Sequence, residues 1–532
     1  MATSRLFRTF AAFFAATVLL ISGCSSGPSS TPSAAGPGRA EDADASGMSS
    51  GAPKSVLAPL PTAVPAGLRP YYDQKLSWHA CGVSGFECAT MKAPLDYARP
   101  GAGDDLKLAV ARKKATGPGK RIGSLMVNPG GPGGSAIDYL QQYAPEPASV
   151  RARYDMVAMD PRGVARSTPV ECLSDKEMDR FTQIDQTPDD AAEVNKLTTA
   201  YRNFAKGCDA RSGKLLPHVS TVEAARDMDV LRAVLGDRKL YYVGASYGTF
   251  LGATYAGLYP SRVGRVVLDG AMDPSLGPRQ VNIEQTAGFN TAFTAFAEDC
   301  VERRDCPLGT KSAADAGKRL SALFEKIDEH PLETGEGRSL AESLATTGVI
   351  AAMYDEKAWP VLRAYLAQAE KGDGRGLLTL SDSYYERDPD GHYANQMYAN
   401  PAVNCLDLPP AYTSPAQVRA DLPRFRKASP VFGDEFAWAS LNCAYWPVKP
   451  TGAPERIEAK GAAPIVVVGT TRDPATPYAW AKGLAAQLSS ATLLTYEGDG
   501  HTAYGRGSAC IDKAVNTYLL DGTVPPKNKR CT

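Results

Sequence analysis

No sign of charge predominates in this chain of 532 residues, where 58 lysines and arginines face 58 aspartates and glutamates. A balanced chain has no net field with which to draw in nucleic acid, so a bulk-charge explanation of function is excluded. Histidine is scarce, at five residues, and no cysteine stands in a CxxC or His-Cys spacing of the zinc-binding kind. Neither a GK[ST] phosphate loop nor a GxGxxG dinucleotide turn is present. No metal or cofactor is therefore expected.

What is present begins with a leader. Arg5 and Arg8 form a positive start, and the apolar run Phe10 to Ile21 is too short to span a bilayer, which reads as a signal peptide over 1–23. Ser22 and Gly23 directly before Cys24 resemble the bacterial lipobox, in which the cysteine is acylated and becomes the new N-terminus. Two or three acyl chains on Cys24 would anchor the chain stably to the outer face of the cell membrane. Residues 24–55 are Ser, Pro, Gly and Ala with scattered acids, too poor in apolar surface to fold, and read as a tether. Cys24 set aside, ten of the eleven cysteines remain, an even number in an exported chain, which suggests disulfides. Pairing of sequence neighbours (81 with 88, 172 with 208, 300 with 306, 405 with 443, 510 with 531) is expected because each closes a short local loop.

Beyond the tether, short apolar runs recur at Ile122 to Val127, Tyr154 to Met159, Leu240 to Val243, Arg265 to Leu268, Ile465 to Val468 and Thr492 to Tyr496. Continuous runs of this length suit strands buried on both faces of a parallel sheet. Helical patterns such as Thr221 to Leu235 lie between several of them, and the alternation argues for an α/β fold. It stops near Pro274 and resumes near Pro464, with helical segments such as Ala313 to Ile327 and Trp359 to Glu370 in between. The organisation expected is a core over 75–273 and 461–532 with a mainly helical cap over 274–460.

The chemistry centres on Gly244-Ala245-Ser246-Tyr247-Gly248, directly after one strand and before the helical run Thr249 to Leu258. A serine between two glycines at a strand-to-helix turn is the nucleophile elbow of the α/β-hydrolase fold. Its hydroxyl needs a base. His79 and His218 precede the serine, against the fold's usual order of nucleophile, acid, histidine, and His330 and His392 fall in the helical stretch; His501, just past a strand, is the base expected. Asp473, after the strand Ile465 to Val468, is the orienting acid expected, with Asp269 as its rival; Asp499 reads as a turn residue. Oxyanion donors are expected at the backbone amides of Tyr247 and of Gly131, in the loop Asn128 to Ser135.

Together the Gly-Gly-Pro-Gly loop, Asp160-Pro161-Arg162-Gly163, Gly-x-Ser-Tyr-Gly, Arg472-Asp473-Pro474-Ala475-Thr476-Pro477 and Gly500-His501 resemble the exported bacterial tripeptidyl aminopeptidases, relatives of proline iminopeptidase among the α/β-hydrolase peptidases. The likeness runs from about residue 75 to the C-terminus. Proline iminopeptidases usually have a histidine where this chain has Pro129, which favours the tripeptidyl branch. The resemblance implies release of short peptides from the free N-terminus of peptide substrates, a cap that shapes the cleft, and a supporting or substrate-binding role for Thr476. An enzyme of that kind must sense an ammonium group, for which Glu284, Glu298, Asp299 and Asp407 are candidates. A carboxylesterase with the same Ser-His-Asp machinery is the alternative.

Overall fold

The computed structural model describes residues 55–532; the leader, Cys24 and the tether up to residue 54 lie outside the described residues. Its strands are β1 (His79–Ala80), β2 (Glu87–Pro94), β3 (Asp105–Lys113), β4 (Gly123–Asn128), β5 (Tyr154–Met159), β6 (Leu240–Ala245), β7 (Val263–Asp269), β8 (Ile465–Arg472), β9 (Ala491–Asp499) and β10 (Lys529–Cys531). They form one sheet in the order β1-β2-β3-β5-β4-β6-β7-β8-β9-β10. From β5 to β10 every neighbouring pair is parallel, and the β1–β2, β2–β3 and β3–β5 pairs are antiparallel. This is the α/β-hydrolase arrangement, a mostly parallel sheet covered by helices.

The apolar runs became β4 to β9 because both faces of the sheet are covered. Met126, Val157, Tyr242, Leu268 and Val467 pack into the core on one face. Their alternating neighbours Leu125, Val127, Met156, Val243, Val267 and Val466 pack into the other. β2 and β3 escaped a search for continuous runs because over much of their length only one face is apolar: Ala89, Met91, Ala93, Leu106, Leu108 and Val110 are buried, while Thr90, Lys92, Asp105 and Lys107 on the other face are exposed. The packed chain also starts earlier than residue 75, since Leu57, Leu60, Val64, Leu68 and Tyr71 lie on the first core.

The Asp160-Pro161-Arg162-Gly163 turn after β5 is a staple. Arg162, 1% exposed, reaches both carboxylate oxygens of Asp227 at 2.7 Å and also donates to the carbonyls of Pro94, Leu95 and His218. A buried charge paired this fully is costly to orphan, by about 3–5 kcal/mol. Asp160 accepts from Ser135 Oγ at 2.8 Å and from the Ile137 amide at 3.1 Å, which fixes the end of the glycine loop at the helix Ala136–Gln142.

Between β7 and β8 the chain is helical, with Pro278–Val301, Ala313–Glu329, Glu342–Met353, Trp359–Ala369, Arg375–Tyr384, Gln396–Asp407, Pro415–Ala428 and Gly433–Ala439 as its main helices. Most share an apolar core of their own, built around residues such as Phe293, Phe296, Leu320, Leu344 and Leu366, which meets the sheet domain at Ala475. Residues 55–532 nonetheless pack as one compact unit.

All five neighbour pairs of cysteines are bonded. Such bridges form and persist in oxidising compartments outside the cytoplasm. Among the described residues no helix is long and apolar enough to cross a membrane.

Candidate active site

β6 ends at Ala245, and the helix Tyr247–Leu258 begins two residues later, so Ser246 alone makes the turn. It does so at φ 56° and ψ −127°, a conformation that costs an L-residue about 1–3 kcal/mol and persists only when its surroundings hold it. The Ser246 amide donates to the Asp269 carbonyl at 2.9 Å, and the Ser246 carbonyl accepts from the Thr249 amide and hydroxyl. The flanking glycines are required by contact: a Cβ on Gly244 would sit 2.3 Å from the Gly248 carbonyl oxygen, and one on Gly248 would sit 2.7 Å from that of Asn128. The serine is thus lifted off the sheet edge at the N-terminus of a helix, where developing negative charge is favoured.

His501 follows β9, and Asp473 follows β8, its strand neighbour. His501 Nδ1 stands 2.9 and 3.0 Å from the two Asp473 oxygens, and Thr476 Oγ1 lies 3.4 Å from the same nitrogen. Asp473, 2% exposed, also accepts from the amides of Ala475, Thr476 and Thr502, so its position is fixed from three sides. The rival carboxylate, Asp269, does a different job. It accepts the Ala503 and Tyr504 amides at 2.8–3.1 Å and so ties down the loop just past His501. Burial raises its carboxyl above the usual range, opposed by those two amides and by His501. Elsewhere, His218 pairs with Glu223 and His392 with Asp175, while His79 and His330 are exposed.

The loop after β4 runs against the elbow. A Cβ on Gly130, at φ 100°, would lie 2.8 Å from both Ser246 Cβ and the Tyr247 amide nitrogen. Gly131 comes next, also at positive φ, and lines the same cleft as Ser246. The helix Gln396–Asp407 braces both segments. Asn400 donates to the Pro132 carbonyl at 3.2 Å, and the Tyr247 hydroxyl meets Thr221 Oγ1, which in turn donates to Asp407.

The cleft itself holds about 400 Å³. Its walls come from the sheet domain (Gly131, Ser246, Thr476) and from the helical stretch (Tyr354, Asn400, Phe436). Residues 429–531, which carry the Asp473 and His501 loops, match the family described as TAP-like protein. Over 489 residues the chain is 39% identical to the serine protease Hip1 of Mycobacterium tuberculosis, covering 87% of this chain and 92% of that protein. Carboxylesterase B of the same organism is 40% identical over 478 residues, 87% of this chain and 91% of the relative. The tripeptidyl aminopeptidase of Streptomyces lividans is 32% identical over 486 residues, 86% of each chain. The chain belongs to the TAP-like family of serine hydrolases.

In this TAP-like hydrolase the four acids considered for an ammonium group are placed very differently. Glu284 accepts from Trp480 Nε1 and Gln280 Nε2, and Asp299 is paired with Arg303 and Arg363. Glu298 is exposed. Asp407 is 8% exposed and lines a second cavity. Sequence reasoning also missed two residues that hold the histidine. The His501 amide donates to the Tyr354 carbonyl at 2.9 Å, with the two rings edge to face at 5.4 Å. Arg506 donates to the carbonyls of both His501 and Tyr354 and forms ion pairs with Asp355 and Glu356. A lone arginine five residues past a histidine carries no signal of that role; the partners come from more than a hundred residues away in sequence.

Proposed function

We propose that this TAP-like hydrolase is an extracytoplasmic serine exopeptidase that releases short peptides, tripeptides by this reading, from the free N-terminus of peptide substrates.

 Ser246 attacks the scissile carbonyl, His501 takes its proton and gives it to the leaving amine, and the acyl-enzyme left on Ser246 is hydrolysed by a water whose proton passes through His501 back to Ser246, while Asp473 holds the imidazole and stabilises its charged form. The amides of Tyr247 and Gly131 receive the oxyanion, a contribution worth about 10²–10³ in rate per donor. Thr476 supports the Asp473–His501 pair. No metal or cofactor enters this scheme. The 274–460 stretch serves as the cap over a core formed by 75–273 and 461–532. The signal peptide 1–23 is removed, Cys24 carries the lipid anchor to the outer face of the cell membrane, and 24–55 is the tether.

The observation that carries the reading is the pairing of His501 Nδ1 with Asp473 at 2.9 Å, with Ser246 presented at a strained elbow. Two peptidases among the relatives favour peptide bonds, and one of them is a tripeptidyl aminopeptidase. The carboxylesterase relative supports a second reading, ester hydrolysis by the same machinery. A digest of one unblocked peptide and its N-acetylated twin, read by mass spectrometry with the Ser246→Ala variant as control, separates them. Tripeptides from the free peptide alone, absent in the variant, are expected. Cleavage of neither peptide, with ester turnover intact, moves the assignment to an esterase, and equal cleavage of both makes it an endopeptidase.

A further inference from the structure

Next to the catalytic cleft lies a second cavity of about 210 Å³, and Phe250 and Pro274 line both. The ionisable side chains on the second cavity's wall are Asp407 and Glu455, both acids. Asp407 is the buried one, at 8% exposure. Its oxygens accept the Thr221 amide at 2.9 Å and the Thr221 hydroxyl at 2.5 Å, and among the described residues no lysine, arginine or histidine pairs with it. A buried carboxylate without a cation is costly to ionise, and a cation arriving with a ligand would remove that cost. Asp273, which faces the main cleft, is a weaker candidate. One of its oxygens already accepts from the Ser275 amide, the Ser275 hydroxyl and Gln487 Nε2, which ties its loop to the helix Tyr478–Gln487.

We infer that Asp407 is the anchor for the substrate's α-ammonium group, with the cavity beside Phe250 and Pro274 as the subsite that receives the substrate's N-terminal end. The inference rests on the exopeptidase reading above. It gives the enzyme a fixed distance between a charge anchor and Ser246, and that distance decides where along the substrate the cut falls. Asp407 also shares the helix Gln396–Asp407 with Asn400, and reaches the Tyr247 hydroxyl through Thr221. An occupied anchor therefore bears on the segments that flank the nucleophile.

Burial pushes the Asp407 carboxyl up to about 7, opposed by the two Thr221 hydrogen bonds and reinforced by Glu223. The groups that face it are Thr221 and Glu223 from the helix Thr221–Val234, Tyr247 from the elbow helix, and Glu455 across the cavity. An α-amino group titrates at about 7.7–8.0. Ammonium and carboxylate are then both charged mainly between about pH 7 and 8, and kcat/KM reports the free enzyme's side of that window.

The test measures kcat/KM for a tripeptide p-nitroanilide and its N-acetylated twin, with wild type, Asp407→Asn and Asp273→Asn, and labels each protein at Ser246 with a fluorophosphonate. Wild type should prefer the free amine. Asp407→Asn should lower that preference about 10- to 100-fold, the scale of one charge-assisted hydrogen bond; any disturbance of the elbow through Thr221 and Tyr247 slows labelling and both substrates alike and so cancels from the preference. A preference kept in Asp407→Asn, or lost in Asp273→Asn instead, overturns the anchor and leaves the exopeptidase reading standing. A wild type that never prefers the free amine overturns both. Should Asp407→Asn fail to fold, wild type alone decides: its preference should fall as pH drops below about 7, and free-amine and acetylated substrates with parallel pH profiles would refute the anchor.

Discussion

The sheet domain and the helical stretch between β7 and β8 meet at one cleft and contribute to it in different ways. From the sheet come the groups proposed to do the chemistry, each at a strand end: Ser246 after β6, Asp473 after β8 and His501 after β9. From the helices come groups that surround and brace them. Tyr354 receives the His501 amide, Asn400 braces the glycine loop, and Asp407 lies in the adjoining cavity. The strands that carry these groups are paired on both sides and buried on both faces, which leaves them little room to move. The relatives include a protease, an aminopeptidase and a carboxylesterase, as expected where one fold hosts several activities.

The largest effects should come from the sheet side. Ser246→Ala should lower kcat by about 10⁶-fold, the scale seen when a triad nucleophile is removed. Asp473→Asn should cost about 10⁴-fold, because asparagine favours the wrong imidazole tautomer. Asp269→Asn is the contrast, expected to cost about 1–3 kcal/mol of stability by weakening its hold on the Ala503 and Tyr504 amides, with a much smaller loss of kcat. Steady-state kinetics and urea denaturation of the three variants check this. An Asp269→Asn loss in kcat as large as that of Asp473→Asn would reverse the assignment of the two acids.

Glu146 probes the sheet side in a second way. It is 1% exposed, neither carboxylate oxygen has a hydrogen-bond partner, and burial raises its carboxyl from 4.5 to about 7. The folded state therefore holds this proton at pH values where the unfolded chain has released it. Stability from this group is fully present below about pH 4.5 and falls as pH rises to about 7, by about 3 kcal/mol in all. Glu146→Gln should raise Tm at pH 8 and leave it nearly unchanged at pH 4.5. Equal shifts at both pH values would mean that the carboxyl is already ionised in the folded protein.

The smallest effect tests the joint between the two regions. Arg506→Ala removes donors to the His501 and Tyr354 carbonyls and the ion pairs to Asp355 and Glu356, and should lower kcat about tenfold with little change in KM, since a small misplacement of the base is felt in rate. A change confined to KM would place Arg506 on the substrate side of the joint instead.

Much of this was legible before any coordinates. The elbow could be read because its turn needs two glycines and a serine in fixed positions, and His501 could be proposed as the base because only five histidines compete for that role. Six strands announced themselves as apolar runs, since burial on both faces leaves no polar alternation. β2 and β3 did not, because over much of their length one face is exposed, and neither did β10, a three-residue strand whose Cys531 is bonded to Cys510. The even cysteine count suggested disulfides, and proximity in sequence suggested their partners.

Tertiary structure alone decided the rest. Asp269 and Asp473 both follow apolar strands, and only the placement of the loop after His501 gives the imidazole to one and two backbone amides to the other. Arg506, Tyr354 and Asp407 are ordinary residues in the sequence, made consequential by partners brought together from distant segments. Sequence determined the fold and singled out the reacting groups proposed above, because backbone geometry and burial constrain those residue types locally. The helices that line the cleft obey only the looser demand of an apolar face, so which of their polar residues meet the site was settled by how they pack.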